Sequence, residues 1–342
     1  MEHLQLRIKQ IRQETKDSKT FFVEEVNNRE IVYKAGQFLT IIITLHNKEI
    51  RRSYSISSSP EVDEDLFFTL KRIENGELSR YLFDELQVND VLVSLPPSGR
   101  FTIDNPDTNV AVFIAAGSGI TPVFSLIKRL LYQFEKTKVL LISQNHNENE
   151  SIFRKELTLL EKKFSSRFAM HEIFSHPIDH RLHPQRLNNN LLERILLKSL
   201  TDSSIKFYLC GPESFMRMAR FTLKVMKYSE HMIRQENFFA TAPPPPFMHD
   251  HTPHRVTIHF HHKTYHLDVA YPHNILETAL KNHIQLPYSC RGGRCSTCTA
   301  KCTKGKVKMT INDVLTPADL RSGLILTCVS YPETDVEITF DV

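Results

Sequence analysis

The chain has 342 residues, 41% of them hydrophobic and 24% charged, with a formal net charge of +4 at pH 7. That length exceeds one ordinary core and predicts two or three domains of roughly 100–150 residues each. The small, dispersed charge, without a basic block interleaved with aromatics, excludes nucleic acid as a partner, and no apolar run nears the ~18–20 residues that cross a membrane.

Six cysteines without a disulfide-like pattern point to a reducing compartment. The stretch from Met1 to Lys19 is charged and alternating, with no apolar signal region. A cytoplasmic protein is expected.

Residues 1–102 read as short β-runs: Leu4 to Ile11, Thr20 to Val26, Gln37 to Leu45, Arg51 to Ser57 and Leu66 to Ile73. Their alternation, and turn residues such as Asn27-Asn28 and His46-Asn47-Lys48, predict an antiparallel β-barrel. One helix, Leu78 to Leu86, lays Leu78, Leu82, Phe83 and Leu86 on one face. Two stretches carry chemistry. In Arg51-Arg52-Ser53-Tyr54-Ser55-Ile56-Ser57, Arg52 and Tyr54 share a strand face, so a guanidinium can hold a phosphate while the phenol packs on a flat heteroaromatic. In Gly76-Glu77-Leu78-Ser79 a loop enters a helix with free N–H groups and a hydroxyl that suit a pyrophosphate. Singly, each is also what a polar strand or an ordinary helix cap looks like.

Together with Pro97-Ser98-Gly99-Arg100-Phe101, these stretches resemble the flavin domain of the ferredoxin reductase superfamily. The resemblance implies FAD stacked on Tyr54, with Ser55 near the flavin N5 edge. It implies phosphates held by Arg52, Gly76, Leu78 and Ser79, with backbone groups of Lys71 and Arg72 contributing.

Residues 103–240 alternate strands and helices. The apolar run Val110 to Ala115 reads as a strand buried on both faces of a parallel sheet. It feeds Ala116-Gly117-Ser118-Gly119-Ile120-Thr121-Pro122, where Thr121 reads as the N-cap and Pro122 as the first residue of a helix. Further strands at Val139–Ser143, Phe168–Phe174 and Ile205–Leu209, with helices near Phe153–Phe164, Leu191–Leu200 and Pro212–Lys227, predict a doubly wound α/β nucleotide-binding domain. The Gly117-x-Gly119 turn is half a dinucleotide fingerprint, and Leu209-Cys210-Gly211-Pro212 repeats the strand-glycine-helix order. Both turns resemble the same superfamily, which implies that Gly117, Gly119, Ile120, Thr121, Cys210, Gly211 and Pro212 bind NADPH or NADH, with Cys210 beside the nicotinamide. The plain alternative for Cys210 is a small buried residue at a strand end. Discrimination between the two nucleotides should fall at Ser143 to Asn147, where the oxygenase-reductase branch often has an arginine and this chain offers His146.

Residues 241–254 open with Thr241-Ala242-Pro243-Pro244-Pro245-Pro246, a stiff spacer that should keep the next module near the flavin. Residues 255–342 follow with strands Arg255–His261, Thr264–Val269, Leu324–Cys328 and Val336–Phe340, a helix Ile275–Asn282 and a short helix from Pro317. This order resembles the α+β β-grasp fold of ferredoxins. Cys290, Cys295 and Cys298, in C-x4-C-x2-C spacing, with Cys328 further on, are the pattern by which plant-type ferredoxins hold a [2Fe–2S] cluster. Two sulfide-bridged irons each need two soft ligands, which a tight loop and a separate segment supply. A zinc site would favour two paired motifs instead. Gly292 and Gly293 let the loop curl and aim N–H groups at sulfur. Cys302 reads as a bystander, and the histidines at 249, 251, 254, 259, 261, 262 and 266 lack the spacing of a known metal site.

The three parts resemble, over nearly the whole chain, the reductase subunits of multicomponent oxygenases, most of all those of the phenylacetyl-CoA epoxidase type. The implied activity is electron transfer from NAD(P)H through FAD and the cluster to a partner oxygenase or another one-electron acceptor protein. Two alternatives stay open: an FMN-type dioxygenase reductase, and a redox-sensing flavin/iron–sulfur binding module.

Overall fold

The computed structural model describes residues 3–104, 108–200, 204–238 and 252–340. It comprises two compact units, one running from His3 to Asn237 and the other beginning at Phe238.

The first unit begins with β1 (Leu4–Thr15), β2 (Ser18–Glu25), β3 (Phe38–Leu45), β4 (Lys48–Ser55), β5 (Leu66–Lys71), α1 (Glu77–Asp84) and β6 (Val91–Ser98). These strands form one antiparallel sheet in the order β4-β3-β6-β1-β2-β5. An Ile56–Phe68 bridge joins its two edges, which makes it the expected barrel. Alternate residues Leu6, Ile8, Phe21, Leu39, Ile41 and Phe68 fill the inside. Strand β6 escapes the sequence reading because Pro96 and Pro97 break its pattern. The pairing with β3 slips there, between Phe38↔Ser98 and Thr40↔Leu95, and a bulge tolerates residues that lack an N–H.

Next come β7 (Val110–Ala116), α2 (Ile120–Gln133), β8 (Lys138–Asn145), α3 (Arg154–Lys163), β9 (Phe168–Phe174), α4 (Asn189–Ser199), β10 (Ile205–Cys210), α5 (Glu213–Val225) and β11 (Ile233–Glu236). The sheet is wholly parallel, in the order β11-β10-β7-β8-β9. Every residue of β7 is buried, as its apolar run requires. The strand order reverses between β7 and β10, which makes the ends of those strands the natural ligand crevice. The start of α2 differs from expectation. A single 3-10 turn, Gly117–Gly119, runs straight into the helix, so Gly119 occupies the cap and Thr121 Oγ1 donates to Ser118 O at 2.9 Å. Pro122 still lies in the first turn, where a missing N–H goes unused.

Helix α2 packs against the barrel. The Ser125 hydroxyl donates to the Ser58 carbonyl, buried Lys128 pairs with Asp63, and Phe101 sets its edge on Tyr208 at 5.8 Å.

The second unit contains β12 (His254–Phe260), β13 (Lys263–Val269), α6 (Ile275–Lys281), β14 (Thr299–Lys304), β15 (Val307–Met309), α7 (Pro317–Arg321), β16 (Leu324–Leu326), β17 (Ser330–Pro332) and β18 (Val336–Thr339). Its main sheet runs β13-β12-β18-β14-β16, with β12 and β18 parallel, and β15 pairs with β17. Ile275, Leu276 and Ala279 of α6 pack on this sheet, which is the β-grasp arrangement. Strands β14, β15 and β17 are short or rich in lysine and threonine, so no periodicity announces them. Cys328 sits on a 3-10 turn after β16 rather than on the strand itself. The spacer at 241–246, His249 and His251 lie outside the described residues.

His261 and His262 form the β12–β13 turn, with φ of 54° and 60°. Two consecutive left-handed residues are the requirement of a type I′ hairpin, which asparagine and glycine satisfy with less strain. Replacing His261-His262 by Asn-Gly is expected to stabilise this unit by about 1 kcal/mol, read from its denaturation midpoint.

Candidate redox site

The four cysteines singled out by their spacing come together in one nest. Residues 290–298 wrap a tight loop in which Arg291, Gly293 and Ser296 take φ of 52°, 71° and 59°. A Cβ at Gly293 would sit 2.8 Å from Ile311 O, so only glycine fits that bend without displacement. Backbone N–H groups of Gly292 and Arg294 point at Cys290 Sγ (3.3 and 3.5 Å), and that of Cys290 at Cys295 Sγ (3.4 Å). The thiols of Cys290 and Cys295 contact each other, as do those of Cys298 and Cys328, and Cys290 also reaches Cys328. The first pair is half-buried and the second buried.

These thiols compete for protons. Hydrogen bonds from Cys295 and Cys328, then from the two backbone N–H groups, hold Cys290 far below the usual thiol range, while sharing with Cys290 pushes Cys295 and Cys328 up. Thiolate charge and aimed N–H groups are what a soft, anionic iron–sulfur centre needs from its holder. Among the described residues no three His, Cys, Asp or Glu side chains surround a single metal ion. The four thiols form one linked group, Cys295 to Cys290 to Cys328 to Cys298, a soft donor set of the kind a [2Fe–2S] cluster requires. Cys302 stays apart, half-buried, with its Sγ 3.4 Å from Lys304 O. His259 and His266 make cross-strand contacts with Thr264, Glu337 and Thr257.

In the first unit, Tyr54 packs beside Phe68 of β5, with ring centroids 5.9 Å apart. The isolated Ile56–Phe68 bridge brings the end of β4 beside β5, which leads into the loop before α1. Arg51 is engaged by Glu49, whereas exposed Arg52 donates to the Arg51 carbonyl at 2.8 Å. Among the described residues no carboxylate pairs with Arg52, which leaves its charge for a phosphate. Gly76 caps α1 without a side chain, and a Cβ there would sit 2.3 Å from Ser79 Oγ. Ser79 Oγ donates to Gly76 O and accepts from Ile73 N, both at 3.2 Å, which fixes the shape of this turn. Leu78 is a core residue, so only its backbone could meet a ligand. The side chains of Lys71 and Arg72 pair with Asp17 and Asp84, and the Arg72 N–H donates to Asp17 O at 2.7 Å, so both residues are turned largely toward protein partners.

The two glycine turns of the parallel sheet meet. A Cβ at Gly119 would lie 2.1 Å from Cys210 O and 2.8 Å from Gly211 N, whereas one at Gly117 (φ 55°) would meet nothing within 4 Å. Gly119 is therefore the contact between turns, and Gly117 faces open space in the crevice. Gly119→Ala is expected to force the turns apart, costing about 1–3 kcal/mol and slowing flavin reduction by NAD(P)H at least about tenfold, as seen by melting and stopped-flow absorbance.

Beside this contact stands a residue that the sequence reading missed. Glu236, paired with Cys210 across β10 and β11, is buried and accepts a hydrogen bond from Ser55 Oγ at 3.2 Å. Ser55, Cys210 and Glu236 thus come together from the barrel and two neighbouring strand ends. Burial pushes the Glu236 carboxyl up to about 8, against the opposing effect of the Ser55 hydroxyl. Burial and then the Glu236 charge drive the Cys210 thiol well above its ordinary range. Cys210 is therefore a neutral thiol at physiological pH. Only the short run Ile-Arg-Gln-Glu marks β11, and four residues carry no periodicity.

A flavin-type barrel, a dinucleotide crevice and a four-thiol nest on one chain define an oxidoreductase. Residues 5–103 match the oxidoreductase FAD-binding domain family, 113–220 the oxidoreductase NAD-binding domain family, and 258–333 the 2Fe-2S iron-sulfur cluster binding domain family. The chain is 32% identical over 327 residues to the ferredoxin reductase component of 3-ketosteroid-9-alpha-monooxygenase from Mycobacterium tuberculosis, covering 93% of this chain and 88% of that protein. It is 30% identical over 354 residues to one of the subunits of the 1,2-phenylacetyl-CoA epoxidase of Escherichia coli, covering 98% and 97%. Phthalate dioxygenase reductase shares the fold with a TM-score of 0.61 at 21% identity, over 99% of this chain and 98% of that one. The chain belongs to the family of FAD-, NAD- and [2Fe–2S]-binding oxygenase reductases. Among the described residues no helix is long and apolar enough to cross a membrane.

Proposed function

We propose that the chain takes reducing equivalents from NAD(P)H and delivers them singly to an oxygenase component. The observation that carries this reading is the Ser55–Glu236 hydrogen bond beside Cys210. It links Ser55, expected at the flavin edge, to the strand that pairs with Cys210, expected beside the nicotinamide, and so supports the reading. A bound flavin would supply the exchange between paired and single electrons, and a bound cluster would supply one-electron transfer.

The chain's residues position and tune. Tyr54 offers a flat, half-buried face, Arg52 and the α1 N-terminus offer positive charge to phosphates, and Gly117 leaves room where the nucleotide approaches. Glu236, uncharged below about pH 8, holds a proton within reach of Ser55 Oγ and keeps negative charge away from the site. Neutral Cys210 fills the strand end without competing as a nucleophile. In the other unit Cys290, Cys295, Cys298 and Cys328 supply four sulfur ligands, with the N–H groups of Gly292 and Arg294 tuning them.

The acceptor is an oxygenase component. The relatives are a component of a ketosteroid monooxygenase and a subunit of the phenylacetyl-CoA epoxidase, which supports an oxygenase as the acceptor. Anaerobic titration with NADH and NADPH, with iron and released flavin quantified, tests the reading. Bleaching of both chromophores, with about two irons and one FAD per chain, supports it. A loaded protein that bleaches with neither nucleotide would move the redox-sensing alternative to first place.

A further inference from the structure

Beyond the reacting centre, the parallel sheet carries a second group of side chains. In a doubly wound sheet whose first glycine turn follows β7, the ribose next to the adenine falls at the carboxyl end of the adjacent strand, β8. There a carboxylate selects the free 2′-hydroxyl, and a cation selects a 2′-phosphate. The chain folds two loops over this point, 146–150 after β8 and 175–187 after β9. Ser175 N donates to Asn145 O at 3.1 Å and His176 N to His146 O at 2.8 Å, which ties the loops together.

Their exposed imidazoles converge. His146 and His176 have ring centroids 4.3 Å apart, and Ser175 Oγ lies 3.2 Å from His146 Nδ1 and 3.1 Å from His176 Nδ1. With both Nδ1 atoms directed at the same hydroxyl, the Nε2 edges are left for a ligand. Arg186 joins them. The flanking Gln185 N and Leu187 N donate to Phe174 O (2.9 Å) and Gln144 Oε1 (2.6 Å), which sets Arg186 over the ends of β8 and β9.

The carboxylates of the two loops are already engaged. Glu148 accepts the backbone N–H groups of Ile178 and Asp179 at 2.8 and 2.9 Å. Glu150 binds Lys16 and Asn147, and Asp179 binds Arg181. Arg154 is held bidentately by Glu172, whereas among the described residues exposed Arg186 has no carboxylate partner. The two loops thus offer imidazoles and a guanidinium, while among the described residues every carboxylate on them already has a protein partner.

Resting on the nucleotide-oxidising reading above, we infer that the chain prefers NADPH and that His146, His176 and Arg186 hold its 2′-phosphate. Guanidinium–phosphate contacts carry both charge and geometry, so the discrimination should be large.

Two measurements on the holoprotein test this. Calorimetry compares binding of 2′,5′-ADP and 5′-ADP, and ferricyanide reduction compares kcat/KM for NADPH and NADH. Expected are 2′,5′-ADP tighter by at least about tenfold, and a similar NADPH preference, reduced about tenfold by Arg186→Ala through KM and partly restored by Arg186→Lys. Equal binding of the two adenosine ligands, preference for NADH, or loss of both nucleotides in parallel on Arg186→Ala overturns the assignment while leaving the oxidoreductase reading intact. If neither nucleotide is oxidised, that reading fails, and calorimetry alone still decides whether these residues hold a 2′-phosphate.

Discussion

Replacing Cys328 with alanine is expected to cut cytochrome c reduction by about a hundredfold or more while leaving ferricyanide reduction within about twofold of the parent. Cytochrome c accepts electrons that have passed through the cluster, whereas ferricyanide can take them from the flavin. Cys328 is the remote fourth thiol, in contact with both Cys290 and Cys298. On the proposed ligand set, its loss removes one of four sulfur donors. Iron content, measured on the same sample, should fall from about two per chain toward none, with flavin retained. Cys302→Ala is the matched control, since that thiol stands outside the nest, and full iron and activity are expected from it. Equal loss of both activities in Cys328→Ala, with FAD still bound, would contradict the proposed electron path.

The second large effect belongs to Glu236, where activity and stability should move in opposite directions. Its folded pKa of about 8 lies above the ordinary 4.5, so the protonated form is the one that folding favours. The associated stabilisation is complete below about pH 4.5 and is lost as pH rises to about 8, by an amount on the order of a few kcal/mol. Glu236→Gln cannot ionise. The variant should therefore exceed the parent in stability at pH 8 and above, with the difference shrinking toward acid.

Turnover should respond the other way. Without a titratable proton beside Ser55, flavin reduction is expected to slow about tenfold to a hundredfold, and the parent's decline on raising the pH through about 8 should vanish. A purely structural Glu236 would change the melting temperature and leave the pH profile of flavin reduction as it was.

Much of the molecule is legible in the linear chain because its signals are local. Strand β9 and the start of α7 fall where alternation and Pro317 place them, and β7 is the buried run that its apolar residues require. The cysteine spacing is legible because three of the cysteines lie within nine residues, where loop geometry alone brings them together. The errors have local causes too. Pro96-Pro97 hides β6, the Gly117–Gly119 turn draws the start of α2 forward past Thr121, and His261-His262 closes a hairpin that residue type does not announce.

What the sequence by itself determined is the redox class and the three kinds of domain. Each depends on neighbours along the chain, where spacing and periodicity act directly on the backbone. What only the tertiary structure decided are contacts between distant segments: Ser55 with Glu236, the Gly119 turn against Cys210, and His146 with Ser175 and His176. Such contacts depend on strand order, register and loop closure, which no single segment encodes. A half-buried four-residue strand carries its one buried residue, Glu236, to a hydroxyl on the barrel.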